Sequence, residues 1–372
     1  MGIKHNRRLW GKVLLLLVVL LIVGVTVSGC YGRTQTLGWS GAVVADDTLF
    51  IASVNGNLIA LNTSDGGRLW PDVSLGTSAV AVYGSPAVEG DLVYVGGYNG
   101  KVYTISSSLG SKRQVYPVDE NLEPIVSGVV VAYGKVYFGC SDGKVYALNA
   151  AELYKEWEFP TGDKIWSTPV IDGETIYIGS FDKKLYALNA MDGSKKWEFE
   201  TGGAIVATPL VYNNTVYIGS FDRYLYAVDA TNGSLRWRSG VEAGKWYWAK
   251  PVAYNNVIYA PNLDGKVYIL DANSGSEVAG AVDLKSPISS SPVVVDGKVI
   301  IASQEGKVYS LDTSNNQISL LANLEDGGKI YAPLCASNGV IYIHTQTSKQ
   351  DALYALNAQT GVTLWSLSLT SE

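Results

Sequence analysis

A five-residue phrase that returns eight times governs what this chain can fold into. It reads Leu58-Ile59-Ala60-Leu61-Asn62, Val102-Tyr103-Thr104-Ile105-Ser106, Val145-Tyr146-Ala147-Leu148-Asn149 and Leu185-Tyr186-Ala187-Leu188-Asn189 in the first half. The second half gives Leu225-Tyr226-Ala227-Val228-Asp229, Val267-Tyr268-Ile269-Leu270-Asp271, Val308-Tyr309-Ser310-Leu311-Asp312 and Leu353-Tyr354-Ala355-Leu356-Asn357. Successive second positions lie 44, 43, 40, 40, 42, 41 and 45 residues apart. Eight copies at that period signal a propeller.

Residues 168–199 show the unit most plainly. Thr168-Pro169-Val170-Ile171 reads as strand A, and Asp172-Gly173 turns it into strand B, Thr175 to Gly179. Phe181-Asp182-Lys183 leads to strand C, Leu185 to Asn189, and Asp192-Gly193 leads to strand D, Lys195 to Glu200. Alternating apolar residues between Gly-containing tight turns are what antiparallel hairpins require. One four-stranded blade cannot cover both of its faces, whereas eight in a ring bury each face against a neighbour. The expected fold is therefore all-β, an eight-bladed β-propeller over residues 38–372.

Ahead of the repeats, Lys4, Arg7, Arg8 and Lys12 precede an unbroken apolar run from Val13 to Val27, then Ser28-Gly29-Cys30. This is a basic segment, an apolar segment and a small-residue cleavage site. Val27-Ser28-Gly29-Cys30 resembles a bacterial lipobox, which implies removal of residues 1–29 and lipidation of Cys30. An uncleaved anchor is the alternative, since Val13 extended through Cys30 gives about the 18 residues of a membrane span. In either case residues 30–37 are a short tether, and the rest is expected outside the cytoplasm as a bacterial cell-membrane or outer-membrane lipoprotein.

The chain has 28 basic and 34 acidic side chains. Four of the basic ones lie before Cys30, so the remainder carries 24 against 34, a charge near −10. That balance offers no footprint for a nucleic-acid backbone.

The repeat also resembles the tryptophan-docking motif, Ala-x-Asp-x-x-x-Gly-x-x-x-Trp, of the pyrroloquinoline-quinone-repeat (PQQ-like) eight-bladed β-propellers. Blade five carries it as Ala227, Asp229, Gly233 and Trp237. Asn takes the acidic place in Ala60, Asn62, Gly66 and Trp70, in Ala187, Asn189, Gly193 and Trp197, and in Ala355, Asn357, Gly361 and Trp365. Blade three keeps Trp157 but has Leu153 for Gly, while blades two, six and seven place Gln114, Ala279 and Leu320 where Trp is expected. The resemblance implies the fold across the whole chain after the leader, and a plan similar to the lipoproteins that assist outer-membrane β-barrel assembly.

Quinoprotein dehydrogenases share that fold, and the resemblance implies what one would need: a Glu, an Asn and an Asp on Ca²⁺, a neighbouring Asp as base, and in many an adjacent Cys pair. None of these can be placed here, so no cofactor, metal or catalytic residue is assigned. A reduced PQQ-dependent oxidoreductase stands as the alternative, with PQQ and calcium as its cofactors. His344 is the one His after Cys30 and reads as solvated in a polar turn, 344–350, between strands B and C of blade eight. Cys140 and Cys335 read as inert packed thiols in blades too far apart to join.

Binding is the remaining class. Aligning the blades on the Pro of strand A (Pro86, Pro169, Pro209, Pro251, Pro292, Pro333), the residue three earlier reads Trp39, Tyr83, Val126, Trp166, Val206, Trp248, Ser289 and Ile330 round the ring. These should circle the channel mouth, with Trp246 and Tyr247 adding to the set. Large amphipathic side chains of this kind are enriched at binding hot spots; the competing reading is interblade packing. The B–C turns of the same face carry Asp142, Asp182, Asp222, Asp264 and Glu305, expected first as turn-forming residues. The sequence thus reads as a monomeric, membrane-tethered scaffold presenting Trp39, Tyr83, Trp166, Trp246, Tyr247 and Trp248 to a protein or polymer partner. A sensory ectodomain is a further alternative.

Overall fold

The computed structural model describes residues 38–324, 328–347 and 351–370. The leader (1–29), Cys30 and the tether (30–37) lie outside the described residues. Eight four-stranded antiparallel sheets account for the fold, each one repeat long and ordered A-B-C-D in space. In blade four the strands are Val170–Asp172, Thr175–Gly179, Lys184–Asn189 and Lys195–Glu200. Strand A begins two residues later than its sequence reading because Pro169 has no N–H to give the ladder.

The A strands are Val43–Ala45, Ala87–Glu89, Val130–Ala132, Val170–Asp172, Leu210–Tyr212, Val252–Tyr254, Val293–Val295 and Cys335–Ser337. They pack on one another from blade to blade and so line the axis, least closely between Leu210–Tyr212 and Val252–Tyr254.

The hydrophobic core is divided among the eight seams between blades. At the seam of blades four and five, Tyr177, Leu185, Ala187 and Trp197 meet Ile205, Val216, Ile218, Tyr226 and Val228. Burying a Val, Leu or Ile side chain contributes about 1.5–3 kcal/mol, so every blade depends on both neighbours.

The docking tryptophans cross these seams. The rings of Trp70, Trp157, Trp197, Trp237 and Trp365 lie on Gly110, Gly193, Gly233, Gly275 and Gly66 of the next blade, all at positive φ. Each indole N–H donates to a backbone carbonyl there: Ser107, Ala190, Ala230, Ala272 and Thr63. Leu153 now has a reason. Blade two has no Trp to send, and Leu153, at φ 52° and 3% exposed, fills the space itself. Gly361 likewise receives no Trp and lies against the Leu321 carbonyl.

Blade seven corrects one sequence alignment. Its C–D ladder lacks the irregularity that blades two to six and eight carry after the Ala position, so Ser319, not Leu320, pairs with Ser310 where Trp would stand. Leu320 faces outward instead.

The ring closes between blades eight and one without an exchanged strand. Leu49, Ile51, Ile59 and Leu61 pack on Tyr342, Leu353 and Ala355. His344, expected in a solvated turn, is 4% exposed. Strands B and C of blade eight are longer than in other blades (Val340–Gln346 and Asp351–Asn357), so His344 lies within the ladder opposite Leu353. Its Nε2 meets Asp351, its Nδ1 meets the Ser40 carbonyl at 2.8 Å, and Val54 N–H donates to Asp351 at 2.7 Å. Three other seams set a Gly against the next blade's Ile: Gly96 against Ile125, Gly139 against Ile165 and Gly179 against Ile205; here His344 stands in the Gly position and Gly38 in that of the Ile. Cys140 and Cys335 are both free thiols.

Candidate binding face

Each loop that joins strand D of one blade to strand A of the next rests on the B–C turn of the blade it enters. The amides of Tyr98, Phe181, Phe221 and Leu263 donate to the carbonyls of Ala81, Lys164, Ala204 and Trp246. The turn carboxylates hold this arrangement. Asp182 accepts Gly162 N–H and the Tyr186 hydroxyl on one oxygen, at 2.7 and 2.6 Å, and Lys184 N–H on the other. Asp222 and Asp264 repeat the pattern with Gly202, Tyr226 and Tyr224 and with Gly244, Tyr268 and Lys266. Burial and the Asp222 bond push the Tyr226 hydroxyl up to about 12.

The structurally equivalent residue lies four before each A strand: Trp39, Tyr83, Val126, Trp166, Val206, Trp248, Ser289 and Tyr331. Blade eight thus departs from the Pro-based alignment, because Pro333 comes one residue early. Ile330 is fully buried between blades seven and eight, and Tyr331 takes its place at the mouth. Tyr247 is also corrected. It is 1% exposed, stands where blades three to five have Ile125, Ile165 and Ile205, and packs on Gly219 and Tyr268. Alternation along the loop turns Trp246 and Trp248 to one side and Tyr247 to the other.

The exposed aromatics gather into two groups. Trp39 lies edge-on to Tyr83 at 4.5 Å and 5.6 Å from Tyr331, and Tyr83 contacts Tyr98 at 5.4 Å. In the larger group Trp166 meets Phe181 at 4.8 Å and Trp248 at 6.4 Å. Phe221 stacks on Trp246 at 4.7 Å and on Trp248 at 6.2 Å, and meets Phe181 at 6.2 Å. Lys164 sits over Trp166 and Phe181, 5.2 and 4.6 Å from the ring centres. The Trp166 indole donates to Ser141 at 3.2 Å. All five rings of the larger group are partly exposed.

Sequence reasoning missed Tyr98, Phe181 and Phe221. They sit in B–C turns, read only for their turn chemistry, and the signal was an aromatic ring one residue before the turn's Asn or Asp. Both oxygens of Asp182, Asp222 and Asp264 accept hydroxyl or amide protons, so these three carboxylates act as turn-holding groups. Among the described residues no three His, Cys, Asp or Glu side chains converge to hold a metal.

The class is thus a closed eight-bladed propeller whose one face gathers partly exposed aromatic rings. The profile of the family described as outer membrane protein assembly factor BamB matches residues 25–168 and 154–367, and the chain belongs to this family of PQQ-like propellers. Among solved structures it is similar to BamB from Moraxella catarrhalis, with 21% identity and a TM-score of 0.69 over 90% of this chain and 95% of that one. It is similar to the computationally designed Ika8 protein at 14% identity and a TM-score of 0.69, over 82% of this chain and 92% of that one. A third likeness is to the quinohemoprotein alcohol dehydrogenase of Comamonas testosteroni, at 13% identity and a TM-score of 0.65, over 82% of this chain and 70% of that one. At these identities the likenesses establish the fold. Comparison with curated protein sequences finds no match.

Proposed function

We propose that this protein is an extracytoplasmic scaffold, tethered through Cys30, that presents the aromatic face of blades four to six to a protein partner in envelope assembly. The observation that carries the reading is the group of Trp166, Phe181, Phe221, Trp246 and Trp248, partly exposed and held in place by the Asp182, Asp222 and Asp264 turns. Trp and Tyr dominate interface energetics, and the excess of acidic residues favours a neutral or basic partner over an acidic one. Membership in a family described by an outer-membrane assembly factor agrees with both.

The test is partner capture from solubilised membranes by wild type and by Trp166→Ala/Trp248→Ala. Capture should fall at least tenfold in the variant while it melts as a folded propeller. Undiminished capture by the folded variant would refute the proposal. Metabolic labelling with a fatty acid should mark the wild type and not Cys30→Ala; equal labelling would assign the lipid to another residue.

A further inference from the structure

The smaller aromatic group, on blades eight, one and two, differs from the larger one in what surrounds it. The B–C turns of blades three to seven each carry a carboxylate, Asp142, Asp182, Asp222, Asp264 and Glu305, whereas blades one and two have Asn55 and Asn99 in that place. The loops that enter these two blades, 38–42 and 75–84, hold no charged residue. In a chain with 34 acidic and 28 basic side chains this sector is neutral, and Trp39, Tyr83, Tyr98 and Tyr331 stand in it partly exposed. The loop that brings Tyr331 adds an exposed cation, Lys329, while its Glu325 and Asp326 lie outside the described residues.

The same sector is where the chain enters the ring. Gly38 lies against the Val82 backbone, and Trp39 follows it at the mouth, edge-on to Tyr83. Cys30 stands eight residues before Gly38. An extended chain spans about 3.5 Å per residue at most, so a lipid on Cys30 holds the bilayer within about 28 Å of this sector, whatever path those residues take. Trp and Tyr join an apolar ring to a polar tip and collect at the headgroup level of membranes. A carboxylate brought there would have to leave water, and blades one and two present none in these loops and turns. The tether also keeps the patch at high local concentration over the lipid, so contacts too weak to hold a free protein suffice. We infer that the mouth of blades eight, one and two rests on the bilayer that carries the anchor, with Trp39, Tyr83, Tyr98 and Tyr331 at headgroup level, while the group of blades four to six stays open to the protein partner.

Such seating requires the Cys30 tether but not the partner proposed for blades four to six. Full-length protein carrying its lipid is reconstituted into phosphatidylcholine vesicles, with and without bromine on the acyl carbons nearest the headgroup, and tryptophan emission is compared. Brominated lipid should quench the wild type. Trp39→Phe should lose most of that quenching and Trp166→Phe should keep it, and Trp39→Tyr gives the same comparison should Phe loosen the mouth. Attached protein that is not quenched, or quenching that survives in both folded Trp39 variants, overturns the seating alone. Quenching lost in Trp166→Phe instead puts the larger group on the lipid and overturns both the seating and the partner face. Wild type that does not attach to vesicles overturns the tether, and the seating with it.

Discussion

Gly233 shows how one atom sets a seam. Its φ is +75°, and a Cβ there would fall 2.7 Å from the Trp197 ring. Gly233→Ala must therefore displace an indole as well as hold Ala in the left-handed region, and should cost about 3 kcal/mol. Gly90, at φ +57°, has nothing within 4 Å of that position, so Gly90→Ala should cost only about 1 kcal/mol. Urea midpoints measure both, and equal losses would show that backbone conformation rather than the Trp contact sets the penalty. The sequence displayed these residues but not their pairing: the motif places Gly233 and Trp237 in one blade, whereas the contact runs from Trp197 to Gly233. Gly110 and Gly275 went unremarked for that reason, and Leu153 looked like a defect until the missing Trp of blade two was set beside it.

Among the elements, the extended B–C hairpin of blade eight was the hardest to foresee. The residues from His344 onward are polar, which resembles a loop, and one buried partner of His344, the Ser40 carbonyl, lies in blade one, some three hundred residues away in the chain. Only the closed ring brings them together. Asp351, 1% exposed, accepts from both Val54 N–H and His344. Asp351→Ala would strand both groups in the seam and should destabilise the protein by about 3 kcal/mol, with Asp351→Asn losing less because one oxygen can still accept. A thermal or urea unfolding series checks this; an Ala variant as stable as wild type would show the seam to be held by its apolar contacts alone. The same dependence on register moved Tyr331 into the mouth and Tyr247 out of it: one residue of offset in a loop exchanges a ring at the surface for one in the core.

At the scale of the molecule, the period and blade count were readable because every copy repeats the same alternation and turn chemistry. The binding face was only half readable, since its rings come from two kinds of loop that touch only in three dimensions. Each blade is a continuous piece of chain, and the seam between blades eight and one uses the same device as four others, a Trp on the next blade's Gly. The polypeptide thus has no privileged place to start. A circular permutant that opens at Gly240, which has nothing within 4 Å of a Cβ position, and joins Thr370 to Gly38 through a flexible linker should fold with an unchanged circular-dichroism spectrum. Failure to fold would mean that chain order, and not only the eight mutual surfaces, directs assembly of the ring.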